Sequence, residues 1–383
     1  MSRNPWQLAA LLLGLCVVGS ASPAAADAPP HEFLDDARTL LVVGACAEGT
    51  QTVVKEEVVA KHCKDVRAAQ DDYKTSWLAV AREFFAANVP KTIPKVVVYP
   101  FAGGDLSTAL AVYPDATEIT TLSLEPAGDP QALARLTAPQ VKVALATVAT
   151  ELKSLYRSNF SVTMNMISAM RSGSLPTQLI FSLSALSIQG YELTALRYFK
   201  LTSDGTIKYV TDADLEAMAK YKDAGRRNRE LANVEIKFKK KGGTVEQTYR
   251  HIMANLDDAH LKMSPAPVKH LEAKGQVAAM TKAASYLLTF GDFSTMRKYL
   301  IANVQWMVSD TTGLAPKYGT PAGFEYETWG QWTEPNMNAG YGIQADWKAE
   351  WKKQPKRELK FRFGYPDKRL NGHLIIMRKA AAK

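Results

Sequence analysis

The chain has 383 residues, of which 46% are hydrophobic and 22% charged, and a formal net charge of +9 at neutral pH. That composition belongs to a globular protein and excludes a disordered, collagen-like or disulfide-dense small scaffold. The charge is unevenly spread: Asp346 to Lys383 holds 12 basic and 4 acidic residues, a net of +8, so the body from Asp27 to Ala345 is neutral and presents no general nucleic-acid-binding field.

The first elements are those of a secretory signal. Arg3 supplies the positive start, Leu8 to Val18 the apolar stretch and Ala24 to Ala26 a small-residue cleavage site, so residues 1–26 read as a signal peptide cut after Ala26. In Leu13-Gly14-Leu15, the bulky Leu15 stands where a lipoprotein signal needs a small residue, which argues against Cys16 as a lipid acceptor. The expected mature chain, 27–383, is a single mixed α/β domain located in the periplasm or secreted. No later segment approaches the roughly 18 apolar residues of a spanning helix. Cys46 and Cys63 are the cysteines left after cleavage, and in an oxidising compartment they are expected to form a disulfide.

In chain order, Thr39–Gly44 reads as a strand and Asp65–Asn88 as an amphipathic helix with Val66, Tyr73, Trp77, Val80, Ala81, Phe84 and Phe85 close to one face. Pro90 and Pro94 stop it ahead of a strand at Val96–Tyr99. The Gly103–Gly104 turn, a short helix and a second strand, Ile119–Leu124, complete a Rossmann-like β-α-β unit that ends in Glu125. A helix follows over Pro139–Tyr156, with a possible continuation over Ser158–Arg171. Antiparallel hairpins mark the second half: Glu192–Leu201 with Ile207–Val210 across Asp204-Gly205, and Val234–Phe238 with its return across Gly242-Gly243. The lysines of the second hairpin read as protection of an edge strand. Helices are expected over Val277–Phe290 and Ser294–Val308, the latter capped by Asp292 or Ser294 and burying Met296, Leu300, Val304 and Met307. An aromatic stretch (Tyr318–Tyr341) precedes a short helix at Trp347–Lys352. The basic C-terminal segment, 346–383, closes as a hairpin of ELKFRFGY with HLIIMRK. The fold class is therefore α/β with a mixed sheet.

The sequence lacks the G-x-S-x-G, P-loop, H-E-x-x-H and C-x-x-C signatures, and its six histidines have no metal-ligand spacing, so no metal site is expected. What remains is the glycine turn. In a β-α-β unit such glycines let the backbone approach a ligand, and an acid after the second strand accepts hydrogen bonds from hydroxyls. Gly103, Gly104, Asp105 and Glu125 occupy those positions. The plainer alternative is a tight turn with Asp105 as the helix cap. Ser309–Gly313 follows the Ser294 helix, either as its glycine stop or with Asp310 on a pocket rim beside the turn.

FAGGD and LSLEP resemble the glycine motif and the acidic second-strand end of class I S-adenosylmethionine-dependent methyltransferases, a likeness covering about residues 96–126. It implies a nucleotide-type pocket at Gly103, Gly104 and Glu125. YPFAGGD, LEPAGDP, FSTMRKYL, SDTTGLAP and FGYPDKRLNGHLIIMRK are similar to motifs of an uncharacterised family of bacterial exported proteins, which implies export and assigns no cofactor. The leading expectation is a protein that binds a small polar ligand at Gly103, Gly104, Asp105, Glu125 and Asp310. The alternatives are an enzyme, a hydrolase or diverged transferase using Asp105 or Glu125, and a cell-envelope protein whose basic segment meets an anionic surface.

Overall fold

The structure, a computed structural model, describes residues 28–158, 175–221, 223–331, 343–364 and 372–380. The signal segment and most of the expected Ser158–Arg171 helix lie outside these residues. Helix α1 (Leu34–Val43) opens the described chain. Helices α2 (Glu56–Tyr73) and α3 (Ala79–Asn88) run continuously through a π-helical turn at Lys74–Leu78. Strand β1 (Val96–Pro100), helix α4 (Leu106–Val112) and strand β2 (Glu118–Ser123) form the expected β-α-β unit with parallel strands. Helices α5 (Ala138–Ser158) and α6 (Thr177–Ile188) follow.

The second half begins with β3 (Tyr191–Leu201) and β4 (Ile207–Tyr209), then α7 (Asp212–Ala219) and α8 (Ala224–Glu230), then β5 (Asn233–Lys240) and β6 (Glu246–Met253). Both hairpins pair antiparallel as expected. Helices α9 (Asp258–Met263) and α10 (Ala266–Glu272) lead to β7 (Val277–Thr281), α11 (Ser294–Asn303) and β8 (Val304–Ser309). The chain then runs through α12 (Pro316–Gly319), β9 (Phe324–Gly330), α13 (Ile343–Lys353) and β10 (His373–Lys379).

The ten strands of the described residues all join one mixed sheet of order β4-β3-β5-β6-β2-β1-β7-β8-β10-β9. From β6 to β8 the neighbours are parallel, and β10 inserts antiparallel between β8 and β9. Strand β1 is apolar throughout because both its faces are covered. Val97 and Tyr99 join a core beneath α1 to α6, while Val98 joins a second core beneath α9, α10, α11 and α13.

Several expectations are corrected. Thr39–Gly44 lies in α1, where Ala37, Leu40 and Val43 are buried at helical spacing and Asp35 and Asp36 favour the helix N-terminus. The expected helix over Val277–Phe290 is instead β7 followed by a 3-10 turn at Ala284–Thr289, because all five residues of Val277–Thr281 are buried between β1 and β8. A short apolar run does not show its own period, and tertiary burial decided it. The next helix ends at Asn303, so Val304 and Met307 belong to β8 and Ser309–Gly313 follows a strand. Neither Asp292 nor Ser294 caps α11; Asp258 accepts its first amides, from Ser294 at 3.1 Å and Thr295 at 2.8 Å. β5 is no edge strand, since β3 and β6 flank it, and its Lys237 and Lys239 pair with Glu246 and Glu192. Among the described residues of the C-terminal segment only HLIIMRK forms a strand, and the expected turn between the two halves of the hairpin lies outside them. The alternating Leu359, Phe361 and Phe363 pack on the helical layer, with Phe361 edge-on to Trp77 and Phe84.

Candidate functional site

β1 is the point where the sheet order reverses: the chain leaves it for β2 on one side and returns to β7 on the other. In open α/β sheets the crevice outside the carboxyl ends of strands at such a point is where ligands bind. Three charged side chains meet there, Asp105 after β1, Lys282 after β7 and Asp310 after β8, and all are buried.

Asp105 caps α4, as its place after the turn required: its carboxylate accepts from the Thr108 amide at 3.2 Å and hydroxyl at 2.7 Å. Its second oxygen meets Lys282 Nζ at 2.5 Å and accepts from the Tyr99 hydroxyl at 3.1 Å. Lys282 also donates to Thr108 Oγ1 at 2.9 Å. Burial, then the negative charges of Asp105 and Asp310, push the Tyr99 phenol well above its ordinary pKa, so it stays a donor.

Asp310 is tied to the same crevice through the neighbour of Lys282. It accepts from the Ala283 amide at 2.9 Å, the Thr312 amide at 2.9 Å and the Thr312 hydroxyl. No cation pairs with it among the described residues. The three charges therefore sum to −1, which suits a cationic or hydroxylated ligand over an anionic one. Thr311 Oγ1 lies 2.6 Å from His373 Nε2, and burial lowers the His373 pKa while Asp310 acts in the opposite direction. Gly313 stands where any β-carbon would strike Ser309 and Thr281, so only glycine closes this loop.

Two non-glycine residues beside the crevice carry positive φ: Phe101 after β1 (58°) and Ala283 after β7 (60°). Each such residue costs on the order of 1–3 kcal/mol, and strain of this kind persists where surrounding structure imposes it, often at ligand sites.

The other expected residues have different neighbours. A β-carbon at Gly104 would overlap the Phe181 ring of α6, and Gln178 of the same helix donates to the Gly103 carbonyl at 3.0 Å. The turn is thus packed against protein, which does not fit a nucleotide-type cofactor laid along it. Glu125, also buried, lies beyond β2, where its carbonyl accepts from His251 Nε2 at 2.7 Å. With that nitrogen donating, His251 Nδ1 accepts from Gln178 or Thr121, both at 3.3 Å. Burial lowers the His251 pKa to about 4. The structure thus joins Asp105 to Asp310 and adds Lys282 and Thr312, which sequence reasoning missed. The one available signal was the polar pair Thr281-Lys282 ending an apolar run, as a strand end would.

Cys46 and Cys63 are bonded as expected, tying the chain after α1 to α2. They lie beside His62, remote in sequence from the crevice residues. Part of the basic C-terminal charge is held internally: Arg378 pairs with Glu327, and Lys379 donates to the Ile301 carbonyl at 2.9 Å. Lys352 and Lys356 are exposed. Among the described residues no helix is long and apolar enough to cross a membrane. Comparison with protein-family models, curated proteins and solved structures finds no match to this chain, so the site is read from its own geometry.

Proposed function

We propose that this protein is exported and binds a small polar ligand, cationic or hydroxylated, in the crevice at the carboxyl ends of β1, β7 and β8. The observation that carries this reading is the convergence of Asp105, Lys282 and Asp310 at the switch point of the sheet, between two residues held at positive φ. Asp310, with no cation partner among the described residues, is the acceptor for the ligand, and the Lys282–Asp105 pair fixes the facing wall. The disulfide supports the export half of the reading.

The packing of Phe181 and Gln178 on the glycine turn speaks against a cofactor there, so the proposal keeps the crevice and omits methyl transfer. A hydrolase or transferase reading would use the same carboxylates, and turnover of a bound molecule would separate it from simple binding.

Native mass spectrometry of the protein from its own exported fraction, beside the variant Asp310→Asn, tests this. A discrete added mass on the wild type, lost in the variant while near-UV circular dichroism is unchanged, is the expected result. Equal adducts on both proteins, or no adduct after incubation with a polar metabolite extract, would overturn it.

A further inference from the structure

At the opposite end of β1 lies a second site, independent of the crevice. A cavity of about 280 Å³ opens between the end of α3, the start of β1 and the end of α4. Its wall includes Phe85, Val89, Ile93, Val97, Val112 and Tyr113, while Arg82, Lys91, Lys95 and Lys240 bring positive charge against one acid on the lining, Asp115.

Arg82 and Lys240 are fixed by neutral groups at the end of α6. Arg82 donates to the Gln189 side chain at 2.8 Å, and Lys240 donates to the Gln189 carbonyl at 3.1 Å. No carboxylate pairs with either cation among the described residues. A helix end offers only about half a negative charge, so two whole positive charges remain largely uncompensated. Lys240 Nζ also sits 3.7 Å from the centroid of the Tyr191 ring. The Tyr191 hydroxyl is buried without a hydrogen-bond partner, an arrangement that costs about 1–3 kcal/mol unless something completes it. Burial raises that phenol to about 12, with Arg82 pulling it down and Asp115 pushing it up, which places it within electrostatic range of two lining residues.

We propose that this cavity binds a small amphiphilic carboxylate, its apolar body against Phe85, Val97 and Val112 and its anionic head between Arg82 and Lys240. The Tyr191 hydroxyl supplies a third donor to that head. Both halves of the ligand are required. A purely inorganic anion leaves the apolar wall wet, and a neutral or cationic amphiphile leaves the two cations uncompensated. At interior packing density the volume holds on the order of a dozen non-hydrogen atoms, which is the size of a medium-chain or aromatic acid.

Octanoate, octanol, octylammonium and inorganic phosphate titrated calorimetrically into the mature protein test this directly. Octanoate should bind saturably, octanol more weakly and octylammonium not at all, with phosphate failing to displace octanoate. Arg82→Gln/Lys240→Gln should weaken octanoate by about a hundredfold or more, the loss of two charged hydrogen bonds. Ile93→Trp, at a half-buried loop position, should block the cavity. Equal binding of octylammonium, full competition by phosphate, undiminished binding by the double variant, or no saturable binding at millimolar octanoate would each overturn the proposal. The ligand comparison uses the wild type alone, so it decides even if a variant fails to fold.

Discussion

Replacing Lys282 by Met removes the one positive charge among the three charged groups of the crevice and leaves its volume filled. Asp105 would keep its donors, the Tyr99 hydroxyl at 3.1 Å and the Thr108 amide and hydroxyl at 3.2 and 2.7 Å, but would lose the ammonium at 2.5 Å. Two buried carboxylates, Asp105 and Asp310, would then face one crevice without that cation. Breaking a buried pair from one side costs about 3–5 kcal/mol, a large share of the roughly 5–15 kcal/mol that holds a domain folded. Asp105→Asn/Lys282→Met removes both charges and should lie closer to wild type than the sum of the single variants, with a coupling of about 0.5–3 kcal/mol. Urea unfolding followed by far-UV circular dichroism and tryptophan fluorescence, with the disulfide intact, measures the cycle, and coincident transitions license the two-state reading. With a slope above about 3 kcal/mol/M for a chain of this size, the midpoint of Lys282→Met should fall by about 1 M. A variant within about 0.5 kcal/mol of wild type would refute the reasoning, because it would mean that the Lys282–Asp105 pair does not hold these loops together.

Further expectations concern the frame around that crevice. His251 has a folded pKa of about 4 against about 6.5 unfolded, so the unfolded chain binds the extra proton and stability falls as pH drops from 6.5 toward 4, by about 3 kcal/mol at the acid end. His251→Gln, which can still donate to the Glu125 carbonyl, should flatten that part of a stability-versus-pH curve, and an unchanged slope would remove His251 as its cause. Reduction of Cys46–Cys63, or Cys46→Ser/Cys63→Ser, should lower stability by about 3 kcal/mol for a 17-residue separation, read as a lower melting temperature. Gly104→Ala should cost about 1–3 kcal/mol through overlap with Phe181, and adding Phe181→Leu should recover part of it. Equal losses with and without the second change would show that the overlap is not the source.

Sequence patterns revealed the fold where local signals and tertiary packing agree. Val96–Pro100, the two hairpins with Asp204-Gly205 and Gly242-Gly243, and the α3 and α5 stripes each carry their own period and their own punctuation. The reading failed in the stretch that builds half of the crevice. Val277–Thr281 is rich in alanine and too short to show a period of two, so helix propensity outweighed a strand defined only by its neighbours β1 and β8. With that strand unread, Lys282 fell inside an expected helix, whereas Asp310 was already expected, as one of two readings, on a pocket rim beside the turn. That misread element thus hid one of the three loops that meet at the switch point.

The glycine turn shows a different limit. Its residues announced correctly that something approaches the backbone closely after β1, but not what approaches. In the folded chain the close neighbour is Phe181, donated by a helix more than seventy residues downstream, and the polar partner of Gly103 is Gln178 from the same helix. A glycine at a strand end records contact distance alone, and an internal side chain satisfies that requirement as well as a ligand does. Asp105 is more informative because capping α4 uses one oxygen and leaves the other pointed at Lys282 and Tyr99. A cap with a second, buried, charged partner does more than end a helix. It ties the loop after β1 to the loop after β7, and Ala283 carries that tie on to Asp310 after β8. That chain of bonds crosses the sheet where its order reverses, and it is why the candidate site belongs between β1, β7 and β8 rather than between β1 and β2, where the sequence motif pointed.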